Sequence, residues 1–136
     1  MAAVATKKRA APVGVLIVDD QPTFRRAARD VVEAAGPEFA LLGEAVSGEQ
    51  ALAAVEELHP DLVLVEVRMH GMGGIEISKR LTAAHPGAVV VLVTLENPLD
   101  LSSEVGFCGA ADLIRKQELG PALLRRLWRA HRHRPR

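Results

Sequence analysis

Five polar side chains, Asp19, Asp20, Glu66, Thr94 and Lys116, each stand at or just beyond the carboxyl end of an apolar run. Three carboxylates brought together repel one another and so recruit a hard divalent cation such as Mg²⁺, which takes oxygen ligands. A hydroxyl and an ammonium complete the set. Taken singly, each has a plainer role: an Asp pair can cap the helix that follows, and a lysine can lie on the surface. The set carries chemistry only if the fold gathers its members at one corner.

The elements that must position them alternate along the chain. Residues 13–18 form a continuous β-branched run. Residues 22–35 place Phe24, Ala27, Ala28, Val31, Val32 and Ala35 at helical spacing, with Arg25, Arg26, Arg29 and Asp30 outside, and Gly36-Pro37 stops that helix. Residues 39–46 read as a second strand. Ser47 caps a helix over 48–58, with Ala51, Leu52 and Val55 inward, and His59-Pro60 ends it. A third strand over 62–67 leads to a loop over 68–74, which holds three glycines. A helix over 75–84, a strand over 87–94, a weak helix over 97–109, a strand over 110–115 and a last helix over 121–132 follow.

Continuous rather than alternating apolar strands indicate a parallel sheet covered on both faces. The fold class is α/β: a flavodoxin-like, doubly wound (βα)5 three-layer sandwich with strand order 2-1-3-4-5. In such a sheet the site lies at the carboxyl ends of the strands, beside the switch in strand order. All five polar residues therefore converge.

The segments VGVLIVDDQPTFRRAARDVVEAAG, GEAVSGEQALAAVEELHPDLVLVEVRMHGMGGIEISKRL, VVVLVT and GAADLIRK resemble the receiver domain of bacterial two-component response regulators, the CheY-like domains. The resemblance runs from Val13 to Leu127, with the motifs in the family's order. It implies that Asp19 and Asp20 bind Mg²⁺, with a further contact from the backbone carbonyl of Arg68 and from the residue at Glu66. It also implies that Thr94 is the switch hydroxyl and Lys116 the phosphate-binding lysine. No organic cofactor is implied. On this reading the chain has a basic N-terminal tail over 1–12, a receiver domain over 13–130 and a basic C-terminal tail over 131–136.

The phosphoacceptor position, however, holds Glu66 where the family has aspartate. The extra methylene moves the carboxylate by about 1.5 Å, one C–C bond length, and a misplacement of about 1 Å can slow catalysis roughly 100-fold. Glu66 could instead reach Lys116 or Thr94 and imitate the phosphorylated state. Leu95 stands where the family has a small residue that leaves room for phosphodonors. Leu113 replaces the aromatic switch residue, and the chain has no tyrosine. His70 and Gly73 depart from the usual proline and acid or asparagine of the loop.

The expectation is an atypical, stand-alone receiver acting as a phosphorylation-independent interaction module. Its partner is a kinase, another regulator or an effector, reached through the face of helix 4, strand 5 and helix 5, including Leu101, Val105 and Arg115. The alternative is a working phosphoacceptor that takes a phosphoryl group from a histidine kinase with Mg²⁺. Trp128 either packs internally or supports a homodimer. His70 lacks zinc-spaced partners and reads as an exposed loop residue. Cys108 reads as buried, and Gly71-Met72-Gly73-Gly74 as a turn, since no P-loop lysine follows.

Composition is consistent with this. A chain of 136 residues suits one domain, and 49% hydrophobic residues exclude a disordered chain. A single cysteine excludes an internal disulfide. No apolar run nears the roughly 20 residues of a membrane span, and no secretory signal is evident, so a cytoplasmic location is expected. All 17 acids lie between Asp19 and Glu118, whereas nine of the 17 bases cluster at the two ends. The basic ends lack aromatic interleaving or a recognition helix, so specific DNA binding is not expected.

Overall fold

The computed structural model describes residues 11–132. The basic clusters Lys7-Lys8-Arg9 and Arg134 with Arg136, expected as tails, lie outside the described residues. Five parallel strands, β1 (Val13–Val18), β2 (Phe39–Ala45), β3 (Leu62–Glu66), β4 (Val89–Thr94) and β5 (Asp112–Arg115), pair in the order β2-β1-β3-β4-β5. They alternate with α1 (Pro22–Ala34), α2 (Gly48–Leu58), α3 (Gly74–Ala84), α4 (Pro98–Val105) and α5 (Pro121–His131). The flavodoxin-like order expected from the apolar runs is the one observed.

Successive strand residues point to opposite faces, so each central strand feeds two cores. Val15, Ile17, Leu62, Leu64, Val91 and Val93 pack with Ala28 and Val32 of α1 and Leu124 and Leu127 of α5. Leu16, Val18, Val63, Val65, Val90 and Leu92 pack with Ala51, Val55, Ile77, Leu81 and Leu101 of α2, α3 and α4. Trp128 is half-buried against the first core, which favours the internal of its two readings. Cys108 is buried in the second. Leu101, expected on an output face, is also buried there; the exposed apolar side chains around α4 are Leu95, Leu99 and Phe107.

Boundaries follow local chemistry. The Ser47 hydroxyl accepts the Gln50 N–H at 3.1 Å and caps α2, and His59 ends that helix in the left-handed region at φ 48°. The fourth helix is shorter than the expected 97–109. Gly106 turns to φ 47° and its N–H closes on the Ser102 carbonyl, which ends α4 at Val105. β5 begins at Asp112 rather than at residue 110, and a single 3₁₀ turn over Lys116–Glu118, not foreseen, joins it to α5. No helix among the described residues is long and apolar enough to cross a membrane.

Candidate functional site

The ends of β1, β3 and β5 meet at Lys116. Its ammonium Nζ lies 2.7 Å from Asp19 Oδ2 and 2.5 Å from Glu66 Oε1, and all three side chains are buried. The same Nζ sits 4.7 Å from the ring centroid of Phe24 on α1, a cation–π contact. Burial pulls the Lys116 ammonium down. The hydrogen bonds from Asp19 and Glu66, together with their charges, outweigh it and hold the lysine above its ordinary value.

The remaining carboxylate oxygens are also engaged. Asp19 Oδ1 accepts the Gln21 N–H at 2.8 Å, and Oδ2 has the Lys116 ammonium as its only partner among the described residues. Glu66 Oε2 accepts the Arg68 N–H at 2.8 Å. The site residues expected from sequence that come together are thus Asp19, Glu66 and Lys116.

Asp20 and Thr94 do not join them directly. Asp20 Oδ2 meets His70 Nδ1 at 2.8 Å and accepts the His70 N–H at 3.3 Å. The His70 side-chain hydrogen bond, against a smaller burial effect, holds the Asp20 carboxyl below its usual range. His70 is exposed, as expected of a lone loop histidine, but its pairing with Asp20 had no sequence signal. The buried Thr94 hydroxyl accepts the Glu96 N–H at 3.0 Å.

The resemblance implies Mg²⁺ at this corner, so the fit matters. Among the described residues, no group of three His, Cys, Asp or Glu side chains is placed to hold a metal ion. The oxygens of Asp19, Asp20 and Glu66 are taken up by an ammonium, an imidazole and backbone N–H groups. The expected convergence of Asp20 with Asp19 and Glu66 is not found, and with Glu66 seated on Lys116 and Asp20 on His70 the three carboxylates are not presented to one divalent cation.

Arg68, expected to contribute a carbonyl, acts through its N–H and its side chain. Nε lies 2.9 Å from Glu96 Oε2, while Nη1 and Nη2 reach Glu104 Oε2 and Oε1 at 3.0 and 2.9 Å. One guanidinium thus ties the end of β3 to the β4–α4 loop and to the last turn of α4. The Arg68 hydrogen bond holds the Glu104 carboxyl below its ordinary value. A depressed carboxylate contributes above its unfolded value and loses that contribution as pH falls through the lowered folded one. The clamp on α4 is therefore complete at neutral pH and released in acid. Arg68→Ala at neutral pH is expected to speed amide hydrogen exchange in α4 by about 2- to 10-fold, the range of two exposed ion pairs. Unchanged exchange would show that α4 stands without the clamp.

A cavity of about 360 Å³ is walled by Glu66, Arg68, Thr94, Leu95, Glu96 and Lys116. Beyond Lys116 and Leu95 lies an apolar one of about 300 Å³ against Phe24 and Ala27 of α1. A cavity of about 380 Å³ lined by His59, Asp61 and His85 lies at the opposite ends of the strands, away from these groups.

The sequence matches the response regulator receiver domain over residues 15–127. It is 34% identical over 111 residues to protein-glutamate methylesterase/protein-glutamine glutaminase 4 of Myxococcus xanthus, covering 81% of this chain and 31% of that protein. It is 35% identical over 105 residues to the response regulator GacA of Pseudomonas viridiflava, covering 76% and 48%. The chain thus spans about a third to a half of the length of these curated relatives. Among solved structures, the response regulator domain of Thermotoga maritima CheB superposes with a TM-score of 0.79 at 25% identity, covering 91% of this chain and 99% of that one. With the fold, the strand-end site and the matched residues in agreement, the chain belongs to the response regulator receiver domain family of two-component signalling.

Proposed function

We propose that this receiver domain signals through protein binding without taking up a phosphoryl group, with Glu66 standing at the phosphoacceptor position. The observation that carries this is the double engagement of Glu66: one oxygen on Lys116, the other on the Arg68 N–H. A phosphoacceptor must present a carboxylate oxygen to phosphorus, and here a buried ammonium holds one oxygen and a backbone N–H the other. Leu95, the large residue at a position where the family has a small one, lines the same cavity as Glu66. Asp19, buried beside the same ammonium, holds Lys116 against Glu66.

Imitation of the phosphorylated state is partial. Glu66 meets the lysine that would hold a phosphoryl oxygen, but the Thr94 hydroxyl is turned to the Glu96 N–H. Leu113, at the aromatic switch position, is half-buried in the second core and offers no ring to swing. The route from the site to α4 runs instead from Glu66 through the Arg68 N–H to Glu96 and Glu104. The partner, a kinase, another regulator or an effector, meets the face of α4, β5 and α5, where Leu99 and Phe107 are exposed.

Intact-mass spectrometry after incubation with a small-molecule phosphodonor and Mg²⁺ tests this reading. The native chain is expected to stay unmodified while Glu66→Asp gains one phosphoryl group. Labelling of the native chain would make it a phosphorelay protein with an unusual acceptor.

A further inference from the structure

The helices sort by charge according to the face of the sheet they cover. α1 and α5 carry six arginines against Asp30 and Glu33. On the other face, α2, α3 and α4 carry six acids against Lys79 and Arg80. Some of these charges are spent within the chain: Arg25 and Arg29 on Glu44, Arg125 on Glu38, Glu56 on His85, Glu76 on Arg80, and Glu104 on Arg68. Exposed and without an ion-pair partner among the described residues are Arg26, Arg126 and Arg129 on the basic side. Glu49 and Glu57 of α2, with Asp100 of α4, are the counterparts on the acidic side. Arg126 and Arg129 are neighbours one turn apart on α5, opposite the buried Leu124 and Leu127. Glu49 and Glu57 flank the outer side of α2, whose inner side is Ala51 and Val55.

We propose that the Arg126–Arg129 side of α5 docks on the Glu49–Glu57 side of α2 in a second copy of this chain, head to tail. The basic and acidic sides lie on opposite faces of one sheet, so the contact cannot be self-complementary, and it builds a ring or an open chain rather than a two-fold dimer. Charge decides between occupants. A nucleic acid backbone would answer the arginines of α5 and leave the acids of α2 without a partner. A second copy has formal net charge zero at pH 7 and presents the complementary acids on one helix. This contact is independent of what happens at Glu66.

Sedimentation velocity of the native chain tests it at two salt concentrations. Charges act over about 30 Å at about 0.01 M salt and over about 3 Å at 1 M. Mass is expected to grow with protein concentration at low salt, without a plateau at the dimer, and to return to the monomer at high salt. Arg126→Glu/Arg129→Glu and Glu49→Lys/Glu57→Lys, both on exposed helix positions, should each weaken self-association by about 10-fold or more. Mixing the two variants should restore association, since the native α2 of the first then meets the native α5 of the second. A native chain that stays monomeric at low salt overturns the proposal. So does a closed dimer indifferent to the reversals, or a duplex oligonucleotide that binds α5 more tightly than a second copy does.

Discussion

Lys116→Met lowers stability by about 3–5 kcal/mol at neutral pH, the range seen when one partner of a buried charge pair is removed. Methionine fills much of the same volume, so the loss is electrostatic rather than a cavity. Without the ammonium, Asp19 and Glu66, at 0% and 5% exposure, face each other across a site with no counter-ion. Their other oxygens hold single backbone N–H groups, which cannot neutralise two carboxylates. Urea unfolding should show a lower midpoint with an unchanged slope. Adding Asp19→Asn and Glu66→Gln to Lys116→Met should recover most of the loss, because the buried groups are then neutral. Lys79→Met, exposed on α3, should stay within about 0.5 kcal/mol of the native chain. A loss below about 1 kcal/mol for Lys116→Met would mean that water reaches the two carboxylates and hydrates them.

The same triad shows which parts of the site could be read in advance. Asp19, Glu66 and Lys116 each lie at the carboxyl end of an apolar run, and a parallel sheet brings those ends together whatever else the chain does. Asp20 was adjacent in sequence but not in direction. Consecutive residues of an extended segment point to opposite sides, so Asp19 turns in to Lys116 and Asp20 turns out to His70. The Arg68 clamp was not legible, because Glu96 and Glu104 lie 28 and 36 residues away and no periodicity links them. In the fold, the long periodic helices and continuous strands were plain. α4 was not, since its end is set by the φ of Gly106 rather than by any change in hydrophobic pattern.

Gly74→Ala is the second substitution with a large expected effect, and it bears on why the loop after β3 is rich in glycine. A Cβ on Gly74 would lie 2.2 Å from the Glu66 carbonyl oxygen and 2.9 Å from the Val67 Cα. These are backbone atoms of the strand end that carries Glu66 and cannot rotate aside. β3 is paired on both edges and buried along its whole length, and the Gly74 N–H already bonds the Val67 carbonyl at 3.0 Å. Alanine favours a helix by about 1 kcal/mol over glycine, but forcing a methyl into this contact costs about 1–3 kcal/mol or more. The net change is destabilising by urea unfolding, whereas Gly73→Ala, with its Cβ at an ordinary 3.5 Å from the Val67 carbonyl, should cost no more than the loss of a glycine N-cap, about 1 kcal/mol or less. The displacement also reaches the site: in a Glu66→Asp background, Gly74→Ala should slow phosphoryl uptake by about 100-fold, as a shift of about 1 Å does elsewhere. Native-like stability for Gly74→Ala would show that α3 can lift away from β3, and the close approach would then not be what requires glycine here. A loss of stability with uptake unchanged would separate the packing of α3 from the placement of residue 66.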